Sequence, residues 1–241
     1  MIFKLSNIFC LVIFLNLISF SQSHVKFFTI ISYNNYSMDG LKQQQNELLN
    51  GILQQNIPAK ITESYPAYYG FKIGFLIPLK DDIKSTFSIG SSIQHGSTAG
   101  RIHYQDYSGE LSIDQLVNYT GIGAMLQYES HYSSDFNLGY NLSINYMLSS
   151  LSNELHFQVG NEIQNEILDF SSSSFGIEPE IIPSYRLGLL QIGASLSYLL
   201  YFPSDLEYDD ISDAFLVNEN GARVDINWSG FRIGAFVSIS L

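Results

Sequence analysis

The residue types that carry most enzyme chemistry are scattered along this chain. The five histidines do not share the spacing of a known metal or metalloprotease motif. His103 and Asp106 are three residues apart, so in a strand their side chains point to opposite faces and make a poor metal pair. The sequence has neither a nucleophile elbow nor a phosphate-binding loop. We therefore expect a protein that is not an enzyme and that holds no cofactor and no metal.

A run of carboxylates near the C-terminus is a second candidate site. It consists of Asp205, Glu207, Asp209, Asp210 and Asp213. Clustered carboxylates outside a membrane are able to hold calcium or magnesium among lipopolysaccharide head groups. The run lacks the Asp-x-Asp-x-Asp-Gly spacing of a known calcium loop, which favours the alternative of a solvated, mutually repelling acidic surface loop.

Two basic and two acidic residues stand in stretches that otherwise carry little charge. They are Lys72, Glu178, Glu180 and Arg232. An isolated charge in a protein interior is costly, whereas two bases and two acids around one narrow space neutralise one another. If one interior collects all four, we expect an ion-pair network that plugs it. The alternative is a water-filled interior in which each charge is solvated separately.

Strands are the elements that position these charges, because apolar and polar residues alternate with a period of two. In residues 135–148, Leu142 and Ile144 alternate with Asn141 and Ser143. Successive side chains of a strand face opposite sides, a segregation that a helix does not produce. The four charges fall on the polar faces of such segments. Eight segments show the pattern: residues 25–33, 65–79, 83–93, 116–128, 135–148, 175–187, 190–202 and 231–241.

The apolar faces of these segments indicate contact with lipid. They carry no Asp, Glu, Lys or Arg, and charged residues make up only 14% of the chain while hydrophobic residues make up 46%. Soluble domains have about 25% charged residues. Aromatic residues near the segment ends suit an interfacial girdle, the alternative being ordinary packing in a soluble sheet. These residues are Tyr65, Tyr69, Tyr128, Tyr185, Tyr198 and Phe202.

We therefore predict an all-β fold, a closed antiparallel transmembrane β-barrel of about eight strands. A soluble barrel of the lipocalin kind is the alternative, but it inverts the pattern, with an apolar cavity and a charged exterior. The formal net charge of −12 argues against nucleic acid as a partner.

The connections between the segments alternate in length, as they do in outer-membrane barrels with short periplasmic turns and long extracellular loops. The short ones are residues 80–82, 130–134 and 188–189, and the long ones are residues 34–64, 95–115, 149–172 and 203–227. Both chain ends then lie on the periplasmic side. Within the long connections we predict a helix over residues 38–55 at the barrel mouth. We also predict β-hairpins with turns at residues 107–109 and at Asn220-Gly221.

The N-terminal segment decides the compartment. Residues 1–22 combine Lys4, a mostly apolar stretch and small residues at the expected cleavage site, which is typical of a secretory signal peptide. A retained anchor helix is the alternative, but the stretch is shorter than the roughly 20 apolar residues that a membrane helix needs. Cleavage leaves residues 23–241 as one barrel domain and removes Cys10, the only cysteine.

The signal peptide, the eight alternating segments and the closing segment 231–241 resemble the small outer-membrane β-barrel domain proteins of Gram-negative bacteria. This resemblance implies location in the cell outer membrane, contact with its lipid and lipopolysaccharide, and insertion by periplasmic chaperones and the barrel-assembly machinery. The chain departs from the family pattern at Leu241, where such proteins commonly end in an aromatic residue. It also departs at Pro179 and Pro183, which remove ladder donors and lead us to expect a bulge or a late strand start.

Two functions are compatible with this barrel. The first is a non-enzymatic surface protein with a filled lumen, whose long loops have a structural role or bind a partner or an envelope component. The alternative is a porin-like transport element, either a narrow pore or a component of a secretion or assembly system. Eight strands enclose an interior that side chains just fill, which favours the first function.

Overall fold

The computed structural model describes residues 25–107, 109–211 and 213–241. The predicted signal peptide, residues 1–22, lies outside the described residues. Within them, no helix combines the length and the apolar character that crossing a bilayer requires.

The described chain is almost entirely β-structure, with one helix near its start. The elements in chain order are β1 (Lys26–Asn34), α1 (Asp39–Gln54), β2 (Lys60–Ser64), β3 (Tyr68–Asp82), β4 (Ser85–Asp106), β5 (Gly109–His131), β6 (Phe136–Val159), β7 (Glu162–Leu187), β8 (Leu190–Tyr201), β9 (Ser204–Asp205), β10 (Glu207–Tyr208), β11 (Asp225–Ile226) and β12 (Gly230–Ser240).

Eight of these strands form a closed antiparallel ring in the order β1, β3, β4, β5, β6, β7, β8, β12. The first and last strands close it, because Lys26 pairs with Ser240 and Asn34 pairs with Arg232. Closure gives most backbone groups of the spanning part partners within the sheet, which a bilayer demands. The ring confirms the predicted fold class and each of the eight predicted segments.

Alternation along the strands sorts side chains between the outside and the lumen. In β6, Leu142 is 48% exposed and Ile144 is 57% exposed, whereas the neighbouring Asn141 and Asn145 are buried inside. In the belt formed by the predicted segments, no described Asp, Glu, Lys or Arg lies on the outward face. The outer surface is therefore an apolar band suited to lipid.

Four strands are much longer than a membrane crossing requires. Strands β4 to β7 have 22, 23, 24 and 26 residues, whereas a spanning strand needs about 9 to 11. The predicted long connections over residues 95–115 and 149–172 contain the expected β-structure: residues 95–106 pair with 109–115 and beyond, residues 149–159 pair with 162–172, and both rise above the barrel as tall hairpins. The expected hairpin structure around residues 107–109 is present, because residues 101–106 of β4 pair with residues 109–114 of β5.

The two prolines of β7 cause neither a bulge nor a late strand start, so the expectation of one or the other was wrong. The register between β7 and β8 is the same at Glu180, opposite Ser197, as at Ser184, opposite Gly193. The pairs at residues 178–179 and 182–183 are missing from this ladder. Pro179 and Pro183 aim their donor-less nitrogens at β8, so the seam between the two strands loses hydrogen bonds but keeps its alignment.

The helix α1 lies at the barrel mouth, as predicted for residues 38–55. It buries Leu41, Gln44 and Gln45, and its first turn is close to Asp225 of β11, since a Cβ added at Gly40 would clash with that residue. The helix fills space that the ring of strands leaves open at this end.

Candidate functional site

The first candidate site is a layer of charge across the lumen. The structure brings Lys72 of β3, Glu178 and Glu180 of β7, and Arg232 of β12 together, all buried. Lys72 Nζ lies 3.0 Å from Glu178 Oε2 and 3.4 Å from Glu180 Oε1. Arg232 Nη1 lies 3.6 Å from Glu178 Oε1. Two positive and two negative charges thus form one ion-pair network, which we call the charge layer.

Neutral polar side chains complete the charge layer. Ser197 donates to Glu178 over 2.7 Å, and Ser195 donates to Glu180 over 2.6 Å. The Asn141 amide donates to the other Glu180 oxygen over 3.0 Å, and Arg232 donates to Gln94 Oε1 over 2.8 Å. These partners come from β4, β6 and β8, so the layer connects most of the ring. Sequence alternation places such residues in the lumen but does not say which of them meet.

Little free volume remains in the charge layer. The cavity bounded by Ile30, Lys72, Tyr119, Glu178 and Arg232, among others, has a volume of about 10 Å³. That is roughly the space of a single water molecule. The layer is therefore closely packed.

An apolar layer lies on the periplasmic side of the charge layer, and sequence reasoning missed it. Its members are Phe28, Ile30, Leu76, Met125, Ile182 and Phe236, packed against one another in the lumen. In β1, Phe27 and Phe28 are both apolar, as are Ile30 and Ile31, so alternation does not reveal which of each pair faces inward. Only the barrel's pairings show that Phe28 and Ile30 do.

A second ionic group lies at the periplasmic end of the lumen, where it lines an open cavity of about 740 Å³. Lys26 Nζ lies 2.6 Å from the buried carboxylate of Glu129. His131 and Arg186 each approach the same carboxylate at 3.8 Å. The sequence gives little indication of this group, because Glu129 lies just beyond the end of a predicted segment, where a turn residue is expected.

The extracellular mouth is filled by a large apolar cluster that includes α1. Trp228 packs edge to face on Tyr36 at 4.8 Å and on Tyr119 at 4.6 Å between ring centroids, and its Nε1 donates to Ser149 over 2.9 Å. Met38 and Leu41 of the helix segment belong to the same cluster. The mouth is thus filled by a second hydrophobic core.

Tyr65 belongs to this mouth core, so its predicted place in the outer aromatic girdle was wrong. It is buried, has φ 48° and lies between β2 and β3. Burial raises the pKa of its phenol, which therefore stays a neutral donor and bonds Gln115 Oε1 over 2.5 Å. The predicted girdle residues Tyr69, Tyr128 and Tyr185 do face outward.

The acidic residues near the C-terminus do not meet at one point. Asp205 pairs with Arg223 at 3.1 Å, and Asp209 accepts a 2.6 Å hydrogen bond from Ser171. Glu207 accepts from the Asp213 backbone N–H over 3.1 Å, and Asp210 accepts from the Tyr208 hydroxyl over 3.1 Å. In the part of the chain that the structure describes, no three His, Cys, Asp or Glu side chains are placed to hold a metal ion.

A closed ring of antiparallel strands with an apolar outer band, a polar inner face and short turns at one end defines a transmembrane β-barrel of the outer-membrane type. This architecture is that of an outer-membrane barrel whose short turns belong on the periplasmic side and whose tall hairpins belong outside. Its lumen carries the buried charge layer and the apolar layer, and its long strands carry the folded part above the barrel.

Solved outer-membrane proteins are similar to this chain in architecture. A major outer membrane protein from Thermus thermophilus is 10% identical, with 89% of this chain and 99% of that chain covered and a TM-score of 0.47. OprG from Pseudomonas aeruginosa is 11% identical, with 91% and 95% covered and a TM-score of 0.47. The outer membrane protease OmpT from Escherichia coli is 8% identical, with 91% and 96% covered and a TM-score of 0.47. No family model and no curated protein matches the chain.

Proposed function

We propose that this protein is a non-enzymatic outer-membrane barrel with a closed lumen, which anchors a folded extracellular part that binds a partner or an envelope component. We call that part the crown. It consists of α1, β2, the segments of β4 to β7 above the membrane, and residues 203–211 and 213–227. The observation that carries the proposal is the packed charge layer, with its cavity of about 10 Å³.

Further closures on both sides of the charge layer support the same proposal. Below it lies the apolar layer around Phe28. Above it lies the mouth core around Trp228. A transported solute would have to displace all of them, including α1, which buries Leu41. A barrel built this way suits a rigid anchor better than a pore.

Bilayer conductance of the purified protein tests this proposal. We expect no steady single-channel current from the unmutated protein. A Lys72→Ala, Glu178→Ala double variant that still folds should also stay closed, because the apolar layer and the mouth core remain. A stable open current in the unmutated protein would contradict the closed lumen and favour the alternative of a narrow pore or another transport element.

A further inference from the structure

In the crown, β4 to β7 form a sheet whose two edge strands, β4 and β7, are covered by other strands to different extents. On one side, β2 covers the upper part of β4, from Ser64 opposite Gly100 to Lys60 opposite His103. On the other side, β8 pairs with β7 only as far as Gly176, opposite Tyr201. The short strand β10 then covers Phe170 and Ser171.

Above Phe170, the described part of the chain supplies β7 with a strand partner on one side only, that of β6. The backbone N–H of Asp209 still donates to the Asp169 carbonyl over 3.0 Å. That bond shows that the backbone groups of Asp169 point away from β6. The backbone groups of every second residue of a strand point to the same side. The backbone N–H and C=O groups of Ile163, Asn165 and Ile167 therefore point to the open side. We call residues 162–169 the open edge.

The open edge presents exposed isoleucine side chains on one face and carboxylates on the other. Ile163 and Ile167 lie on the outward face and are 60% and 61% exposed. Glu162 and Glu166 alternate with them and lie on the inward face, where Leu168 packs against the mouth core. A strand added here would meet the two isoleucines on the outward face, beside Asn165 and Asp169, and the carboxylates of Glu162 and Glu166 on the inward face.

We propose that the open edge binds an extended cationic segment of a partner protein by β-strand addition. Main-chain hydrogen bonds supply affinity in this mode, and alternate side chains supply specificity. The segment should carry Lys or Arg alternating with Val, Ile or Leu, so that its bases lie opposite Glu162 and Glu166. A second copy of this chain is disfavoured because its open edge carries the same charges. This inference rests on the proposed partner-binding function and names the surface and the partner chemistry.

The test is binding of a peptide in which Lys alternates with Val to the full protein in neutral alkyl-maltoside micelles, where no anionic lipid competes. We expect saturable binding that weakens with salt and slows amide hydrogen exchange at Ile163, Asn165 and Ile167. Asn165→Pro removes one donor from the open side and leaves the β6 side intact, so it should weaken binding by roughly tenfold or more. Asn165→Ala is the matched control, because it loses the contact with His156 but keeps the N–H.

Charge variants and altered peptides separate the possible outcomes. Glu162→Gln with Glu166→Gln should weaken binding, whereas Glu63→Gln with Glu110→Gln, which removes the same charge on β2 and β5 of the crown, should not. A peptide with N-methylated amides should fail on the unmutated protein, so this arm stands even if Asn165→Pro folds poorly.

Four results would overturn the proposal. They are no binding of the cationic peptide, equal binding by Asn165→Pro and Asn165→Ala, equal binding of a Glu-Val counterpart, and self-association of the protein that Asn165→Pro abolishes. None of these bears on conductance, so failure of this inference is distinguishable from failure of the closed lumen.

Discussion

Lys72 and Glu178 stand on strands that lie diametrically across the ring, and their side chains meet at 3.0 Å in the centre of the lumen. This pair ties β3 to β7, which are not neighbours in the sheet. Arg232 reaches the same carboxylate from β12. The barrel is therefore held together across its interior as well as around its circumference.

The charge layer should show strong energetic coupling. Lys72→Met alone should lower the free energy of unfolding by about 3 to 5 kcal/mol, because it leaves excess negative charge buried. Adding Glu178→Gln should cost much less than the sum of the two single variants, since charge balance is restored. Urea unfolding of refolded protein in micelles measures all three. Lys72→Met combined with Glu129→Gln, from the separate periplasmic group, is the control and should be additive. Additivity in both pairs would mean that water solvates each charge independently.

Replacing an outward-facing apolar residue by Arg should destabilise the fold in the membrane band but not in the crown. Leu142→Arg puts a charge into the apolar band and should cost about 2 to 4 kcal/mol near the bilayer midplane. Ile167 is similarly exposed, 61% against 48% for Leu142, but it lies on the crown in contact with water. Ile167→Arg should therefore cost little stability. Folding into lipid bilayers, followed by the gel shift between boiled and unboiled samples, measures both. Equal losses would show that the crown or the band has been placed wrongly.

The seam between β7 and β8 should be the weakest ladder of the ring. Pro179→Val restores a backbone donor aimed at β8, so we expect a gain of about 1 kcal/mol in stability and slower hydrogen exchange along β8. Leu142→Val on the neighbouring strand is a control for the altered outer surface and should not slow exchange in β8. If Pro179→Val leaves both stability and exchange unchanged, the backbone groups of β8 in this seam already have other hydrogen-bond partners.

The orientation of the barrel is testable with single cysteines, because Cys10 is the only natural one. Tyr107 is fully exposed at the tip of the β4–β5 hairpin. Tyr107→Cys should react in intact cells with a maleimide that does not cross membranes. Leu189→Cys, in the short turn at the other end, should react only after the outer membrane is permeabilised. The opposite labelling pattern would reverse the assignment of extracellular and periplasmic ends.

Sequence alone was sufficient for the class of fold and for the face of most residues. Cβ atoms alternate along a strand, so a period of two with no charge on one face already implies a lipid face and a lumen face. Lys72, Glu178, Glu180 and Arg232 were identified as lumen residues in this way. The method fails where both faces are apolar, as at Phe28 and Ile30, which line the lumen although nothing local distinguishes them from Phe27 and Ile31.

Tertiary structure decided every relationship between strands, because ring order and register are not local properties. That Lys72 meets Glu178 follows from the place of β3 opposite β7 in a ring of eight. The prolines of β7 need no bulge because their nitrogens happen to face β8, which is settled by register and not by composition. The open edge at residues 162–169 exists because β8 and β10 end below it while β6 continues, a difference in strand length that no residue of β7 encodes by itself.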